Sequence, residues 1–200
     1  MDQWEDYKLG DAVKGWNGRK GLTMPFIDFC CDNYPGSIVC DYRRRTSKFN
    51  DVKVLTDIVE RRAKLYHAKH EGCYSLPKPK EIVVHLRLGD TLSLGARTSM
   101  YVKPVSSYDA LVGKNLTVVT NVNRTRQEDG SKHKRYVAQS NEYLRTFARH
   151  VSRGGSILQY RTCLPDEDFV YMSHANTFVK GGGGFSHLIY EVNGERTRRG

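Results

Sequence analysis

A chain of 200 residues fits one domain of ordinary size, or one with a small appendage, and 38% apolar with 27% charged residues can build a core. A mean hydropathy of −0.60, with no apolar run near the roughly 20 residues that span a bilayer, excludes a membrane-spanning chain. The formal charge of +10 and pI near 9.4 point to an anionic partner: nucleic acid, nucleotide phosphates or an acidic glycan.

The acidic opening Met1-Asp2-Gln3-Trp4-Glu5-Asp6 lacks the hydrophobic segment of a signal peptide, so a soluble chain of open compartment is expected. Residues 1–25 mix Trp, Gly and charge without periodicity and read as a loop-rich arm or the remnant of something larger. Ser37-Ile38-Val39-Cys40, after the Tyr34-Pro35-Gly36 turn, reads as a strand. From Val52 to His70 the apolar positions Val54, Leu55, Ile58, Val59, Ala63 and Tyr66 recur at three- and four-residue steps, which predicts an amphipathic helix. Pro77 and Pro79 then break the chain ahead of Glu81-Ile82-Val83-Val84-His85-Leu86-Arg87-Leu88-Gly89-Asp90. Its branched aliphatics predict a strand covered on both faces, ending on charged residues and a Gly-Asp turn.

Downstream the pattern alternates. Strands are expected at 116–120, 156–160 and 176–179, and helices at 136–151, 165–174 and 185–192, with Gly181 to Gly184 as a loop. That alternation predicts an α/β fold: a doubly wound, mostly parallel, Rossmann-like sheet with right-handed crossovers. The expected division is a short irregular N-terminal region over 1–80 and a Rossmann-like domain over 81–200.

Candidate function gathers where such sheets bind ligands, outside the carboxyl ends of the strands. Arg87 offers a permanently charged fork for phosphate oxygens, and alternation puts His85 on the same face of the strand. Gly89 lets backbone approach a ligand closely. Gly181-Gly182-Gly183-Gly184-Phe185-Ser186 lies between a strand and a helix, where backbone N–H groups and a helix start favour an anion. The run lacks the GK[ST] ending of a P-loop, no GxGxxG occurs, and Gly184-Phe185-Ser186-His187-Leu188 lacks the second glycine of a hydrolase elbow. Asp166, Glu167 and Asp168 follow Pro165 at a helix start, either as first-turn caps or as carboxylates for a base or ribose.

Five cysteines (Cys30, Cys31, Cys40, Cys73, Cys163) at irregular spacing contain no CxxC pair. Reduced thiols are expected, with one or two disulfides if the protein is secreted, and no metal site. Asn115-Leu116-Thr117 and Asn123-Arg124-Thr125 are N-glycosylation triplets.

His85-Leu86-Arg87-Leu88-Gly89-Asp90 resembles the HxRxGD motif of the fucosyltransferase superfamily that includes protein O-fucosyltransferases and α-1,2- and α-1,6-fucosyltransferases. The run from Asp166 to Val179, followed by Gly183-Gly184-Phe185-Ser186, is similar to that family's C-terminal signature. The resemblance covers the second half of the chain. It implies the GDP-fucose-binding half of a GT-B glycosyltransferase working by metal-independent inverting displacement. By it, Arg87 would hold the β-phosphate and stabilise departing GDP, and His85, Gly89 and Asp90 would line the same end of the donor site. Asp168 or Asp166 would contact the guanine or ribose, and Gly183, Gly184, Phe185 and Ser186 would wrap the pyrophosphate. No cofactor beyond the donor substrate is implied.

The chain departs from that pattern at both ends. Residues 1–80 are too few for a complete acceptor half, and Asn17-Gly18-Arg19-Lys20-Gly21 is a poor version of the family's early glycine-rich loop. A compact member, a fragment or a non-catalytic relative are the alternatives, and a partner chain could complete the acceptor half. The acceptor would be a glycan or protein hydroxyl. The second reading is a non-catalytic nucleotide- or nucleic-acid-binding domain, supported by basic clusters at 43–45, 61–62, 132–135 and 196–199.

Overall fold

The computed structural model describes residues 36–45, 51–68, 72–88, 92, 102–120, 130–153, 155 and 157–200. In chain order these form α1 (Ile38–Arg45), α2 (Val52–His67), a 3-10 turn (Gly72–Tyr74) and β1 (Ile82–Leu86). A second 3-10 segment (Val105–Leu111), β2 (Leu116–Thr120), α3 (Gly130–Val151) and β3 (Leu158–Arg161) follow. The last elements are α4 (Pro165–Ser173), β4 (Thr177–Val179) and α5 (Gly183–Arg199). The chain divides into a sheet unit, Lys78–Thr162 with Ala175–His187, and a helical unit, Met1–Pro77 with Cys163–His174 and Leu188–Gly200. Two later segments, Cys163–His174 and Leu188–Gly200, belong to the same unit as the residues before Lys78. A linear reading has no way to see segments that pack back across the chain.

In the sheet unit the strands run parallel in the order β3-β2-β1-β4. From β1 the chain steps outward through β2 to β3, then returns to place β4 on the other side of β1. The architecture is therefore α/β with a Rossmann-like, all-parallel sheet, as the alternation predicted. One face of this sheet is apolar: Val84, Leu86, Leu116 and Val118 bury against Tyr108, Leu111, Phe147 and Val151 from the 3-10 segment and α3. Phe147 and Tyr108 meet edge-on with ring centroids 5.1 Å apart. Period-two alternation turns Val83 and His85 to the opposite face of β1, in register with Thr117 and Val119 of β2.

Hydroxyls finish the carboxyl ends of the central strands. Thr120 Oγ1 donates to the Leu86 carbonyl at 2.9 Å, and Thr162 Oγ1 donates to the Thr120 carbonyl at 2.6 Å. These bonds give the two strand-end carbonyls side-chain donors.

The helical unit departs from expectation twice. Ser37 to Cys40 begins a helix rather than a strand. Ser37 Oγ accepts from Cys40 N–H at 3.3 Å and its carbonyl accepts from Asp41 N–H at 3.1 Å, which is helix capping. A three-residue apolar run does not distinguish a buried strand from a buried helix turn, and the Ser cap is the signal that decides it. Cys73 and Cys163 form a disulfide, with Cα atoms 5.7 Å apart, instead of the expected reduced thiols. They are 90 residues apart in sequence, so only the fold brings them together. Cys40 is a free, buried thiol, while Cys30 and Cys31 lie outside the described residues.

α2 begins at Val52 as its periodicity predicts, with Asp51 Oδ1 accepting from Val54 N–H at 3.2 Å. Its buried side is Leu55, Ile58, Val59, Ala63 and Tyr66. α5 starts two residues earlier and runs seven residues further than the apolar pattern implies. Glu195 pairs with Arg198 and Arg199, and Arg199 reaches Asp57 at 2.6 Å, so ion pairs rather than an apolar face extend the last turns.

Candidate functional site

The strand order reverses between β1 and β4, and in open parallel sheets that crevice is where ligands bind. At its edge the sheet unit places His85, Arg87, Lys180, the glycines and the first turn of α5. Backbone geometry explains two of the glycines. A Cβ on Gly181 would lie 2.4 Å from the His85 carbonyl oxygen and 3.4 Å from Arg87 N, so only glycine lets β4's exit pass this close to β1. Gly183 has φ of 84°, the left-handed region, and opens α5. The run is thus a tight crossing followed by a helix start, not a slack connection.

His85 is buried, and its ring meets the Phe185 ring edge-on at 5.7 Å. Burial, aided by the neighbouring Arg87 charge, pushes its pKa down to about 3, so the imidazole is neutral throughout the physiological range. Its Nδ1 has no hydrogen-bond partner among the described residues, and neither does the fully buried Ser186 Oγ in the first turn of α5. Buried polar atoms are nearly always paired, so two unpaired ones beside one strand end mark a place where a ligand or water completes the structure. Arg87 is half-buried just beyond the end of β1.

Lys103 is a cation that the sequence did not single out. Its Nζ donates to the Lys180 carbonyl at 2.8 Å, directly before Gly181, while Tyr143 Oη donates to the Lys103 carbonyl at 2.6 Å. Lys103 precedes Pro104 in an aperiodic stretch, so no local pattern could have flagged it. The anchoring tyrosine is 40 residues away. Gly89 and Asp90 lie outside the described residues.

Asp166 and Asp168 belong to the helical unit and are engaged there. Asp166 Oδ2 accepts from Ile38 N–H at 2.9 Å, capping α1 from a distant segment. Burial raises the Asp166 pKa to about 6, against the lowering effect of that N–H and of Arg62. Asp168 Oδ2 accepts from Cys163 N–H at 3.1 Å, and Glu167 Oε2 accepts from Leu164 N–H at 3.0 Å. The acidic triplet therefore serves helix starts. A Glu167 oxygen also lies within 4.8 Å of both Cys73 and Cys163 sulfurs, the one trio of metal-ligating type among the described residues. The sulfurs are bonded to each other, so this trio is not a metal centre as it stands.

A second polar cluster lies in the helical unit beside a shallow cavity of about 360 Å³ lined by Glu60, Lys64, His67 and His174, among others. His174 Nδ1 donates to the Val170 carbonyl at 2.8 Å, and its Nε2 lies 3.6 Å from Glu60 Oε2. Burial and the Arg196 charge both depress His174, keeping it neutral. Glu60 is held below the ordinary carboxylate range despite partial burial, because Arg196 pairs with it. This arrangement ties α2 to α5. Comparison with protein-family models, curated proteins and solved structures finds no match for this chain.

Proposed function

We propose that the chain is a glycosyltransferase of fucosyltransferase type, binding GDP-fucose at the crevice between β1 and β4. The observation that carries this reading is the set of groups at that switch point: Arg87, the Lys103 ammonium, and the start of α5 with the unpaired Ser186 hydroxyl. All are suited to the two phosphates of a nucleoside diphosphate.

On this reading the acceptor hydroxyl attacks the anomeric carbon from the face opposite GDP. The bond from that carbon to the β-phosphate oxygen breaks, GDP leaves with the electron pair, and the hydroxyl proton is released. Arg87 stabilises the charge that develops on the departing diphosphate, and stabilisation of that kind needs preorganised donors. A neutral His85 can present Nδ1–H to a phosphate oxygen without adding a second charge beside Arg87. Gly181 keeps the loop close to β1, and Gly183 allows the turn that aims the α5 N–H groups at the anion.

The basic-surface alternative is weakened by pairing within the helical unit, where Arg62 holds Asp41 at 2.9 Å, Arg196 holds Glu60, and Arg199 holds Asp57. Thermal unfolding with GDP, GDP-fucose, GDP-mannose, UDP and ATP tests the proposal, because a ligand that binds only the folded chain raises its melting temperature. Selective stabilisation by GDP and GDP-fucose is expected, and is lost in Arg87→Ala. A melting temperature indifferent to every nucleotide, with salt-sensitive binding to RNA, would favour the non-catalytic reading instead.

A further inference from the structure

Asn115 stands at the end of the tight turn before β2. It is exposed, while Leu116 and Thr117 behind it are buried in the sheet. Gly113, with φ of 75°, makes the turn, and its N–H donates to the Val151 carbonyl at 3.0 Å. The fold uses only the oxygen of the Asn115 amide: Oδ1 accepts from Ile157 N–H at 3.1 Å, bridging the starts of β2 and β3. Among the described residues the Nδ2 makes no hydrogen bond. An Asn-x-Thr triplet with a surface asparagine whose nitrogen is free is what an N-glycosylation site requires of the folded protein.

A second observation bears on the compartment in which the chain folds. The Cys73–Cys163 bond joins residues 90 apart in sequence. Such bonds form and persist in oxidising compartments, where the asparagine-modifying machinery also works.

We infer that the chain enters the oxidising lumen of a secretory pathway and carries an N-linked glycan on Asn115. The Nδ2 attacks the anomeric carbon of a lipid-pyrophosphate-linked oligosaccharide. A nitrogen–carbon bond forms, the carbon–oxygen bond to phosphate breaks, the lipid pyrophosphate leaves, and the amide gives up one proton. The Oδ1 bond to Ile157 survives the modification. Thr117 sets the timing. Once β2 forms, its hydroxyl donates to Glu81 and the residue is only 4% exposed, so the triplet is legible before folding and closed afterwards. The inference rests on the turn and the disulfide, and holds whether or not the crevice binds GDP-fucose.

The test is expression of the full chain in eukaryotic cells behind a cleavable secretory leader. Peptide-N-glycosidase in ¹⁸O-water then marks each glycosylated asparagine, and non-reducing peptide mapping reads the disulfide. Most molecules with an intact Cys73–Cys163 bond should carry label at Asn115, and the enzyme should remove the glycan without denaturant. Asn115→Asp, which keeps the oxygen acceptor for Ile157, should lose the glycan. Chain made in the cytosol, folded with reduced thiols and then offered to the glycosylating machinery, should stay unmodified at Asn115. Lumenal, disulfide-bonded chain with an unlabelled Asn115, including chain labelled at Asn123 alone, overturns the inference. That result comes from the unaltered protein and does not depend on how any variant folds.

Discussion

Two groups of buried polar side chains, one in each unit, are treated in opposite ways. In the helical unit Asp166, Glu167 and Asp168 each accept a backbone N–H, from Ile38, Leu164 and Cys163. In the sheet unit His85 Nδ1 and Ser186 Oγ are buried with no partner among the described residues. Partnered carboxylates explain themselves as architecture. Unpartnered groups at a switch point, beside Arg87 and Lys103, cost stability that only a ligand or ordered water offsets. Burial alone therefore does not nominate a site. Neither does an unpartnered atom by itself, since Ser173 Oγ and His174 Nε2 are also buried with no partner among the described residues. The two coincide with a strand end and a cation only at the switch point.

The contrast is broken or sharpened most forcefully by Arg87→Ala. If the proposed function holds, transfer from GDP-fucose falls by roughly 10²–10³-fold, as for loss of one charge-stabilising donor, with the melting temperature little changed. A folded Arg87→Ala protein with undiminished turnover would remove the sheet unit's claim to the site.

Next in size is the disulfide. Replacing Cys73 and Cys163 by Ser should lower unfolding stability by about 2–5 kcal/mol in denaturant titrations, since the bridge closes a long loop. The effect belongs to the helical unit and should leave nucleotide response in place.

Gly181→Ala should destabilise by about 1–3 kcal/mol, because the added carbon strikes the His85 backbone rather than a side chain that can move. Gly194→Ala in α5 meets nothing within 4 Å and should be neutral or stabilising by up to about 1 kcal/mol. Equal effects at the two glycines would mean that the close crossing is not what glycine provides at 181.

Stability against pH separates His85 from Asp166 by sign. His85 is neutral down to about 3 in the fold, whereas the unfolded chain takes up a proton below its ordinary 6.5. Its contribution is present above pH 6.5 and lost as the pH falls from there toward 3. Asp166 keeps its proton up to about 6, whereas the unfolded chain ionises above 3.8. Its contribution is full below pH 3.8 and lost as the pH rises through 6. Melting curves of Asp166→Asn, which preserves an acceptor for Ile38, should lose the decline on the alkaline side alone.

The smallest effect is expected at the caps. Asp168→Ala and Glu167→Ala should each cost about 1 kcal/mol of stability. Loss of turnover in Asp168→Ala without loss of stability would return that carboxylate to the donor site and blur the contrast.

Much of this was legible from local chemistry. Branched aliphatics at 82–84 and 116–119 specify strands, the three- and four-residue steps from Val54 to Tyr66 specify α2, and their alternation specifies a parallel α/β sheet. The Ile38 helix is not distinguishable from a strand by pattern because three apolar residues satisfy both periods, and the distant Asp166 cap is invisible to a local window. The sequence by itself determined the fold class and the charged end of β1, since both follow from periodicity over neighbouring residues. Tertiary structure alone decided that Gly181 touches β1, that Lys103 reaches the glycine loop, that Cys73 meets Cys163, and that Asp166 caps the remote α1. Each of those depends on which distant backbone groups arrive beside a side chain, and pairing across such separations leaves no periodic trace in the chain.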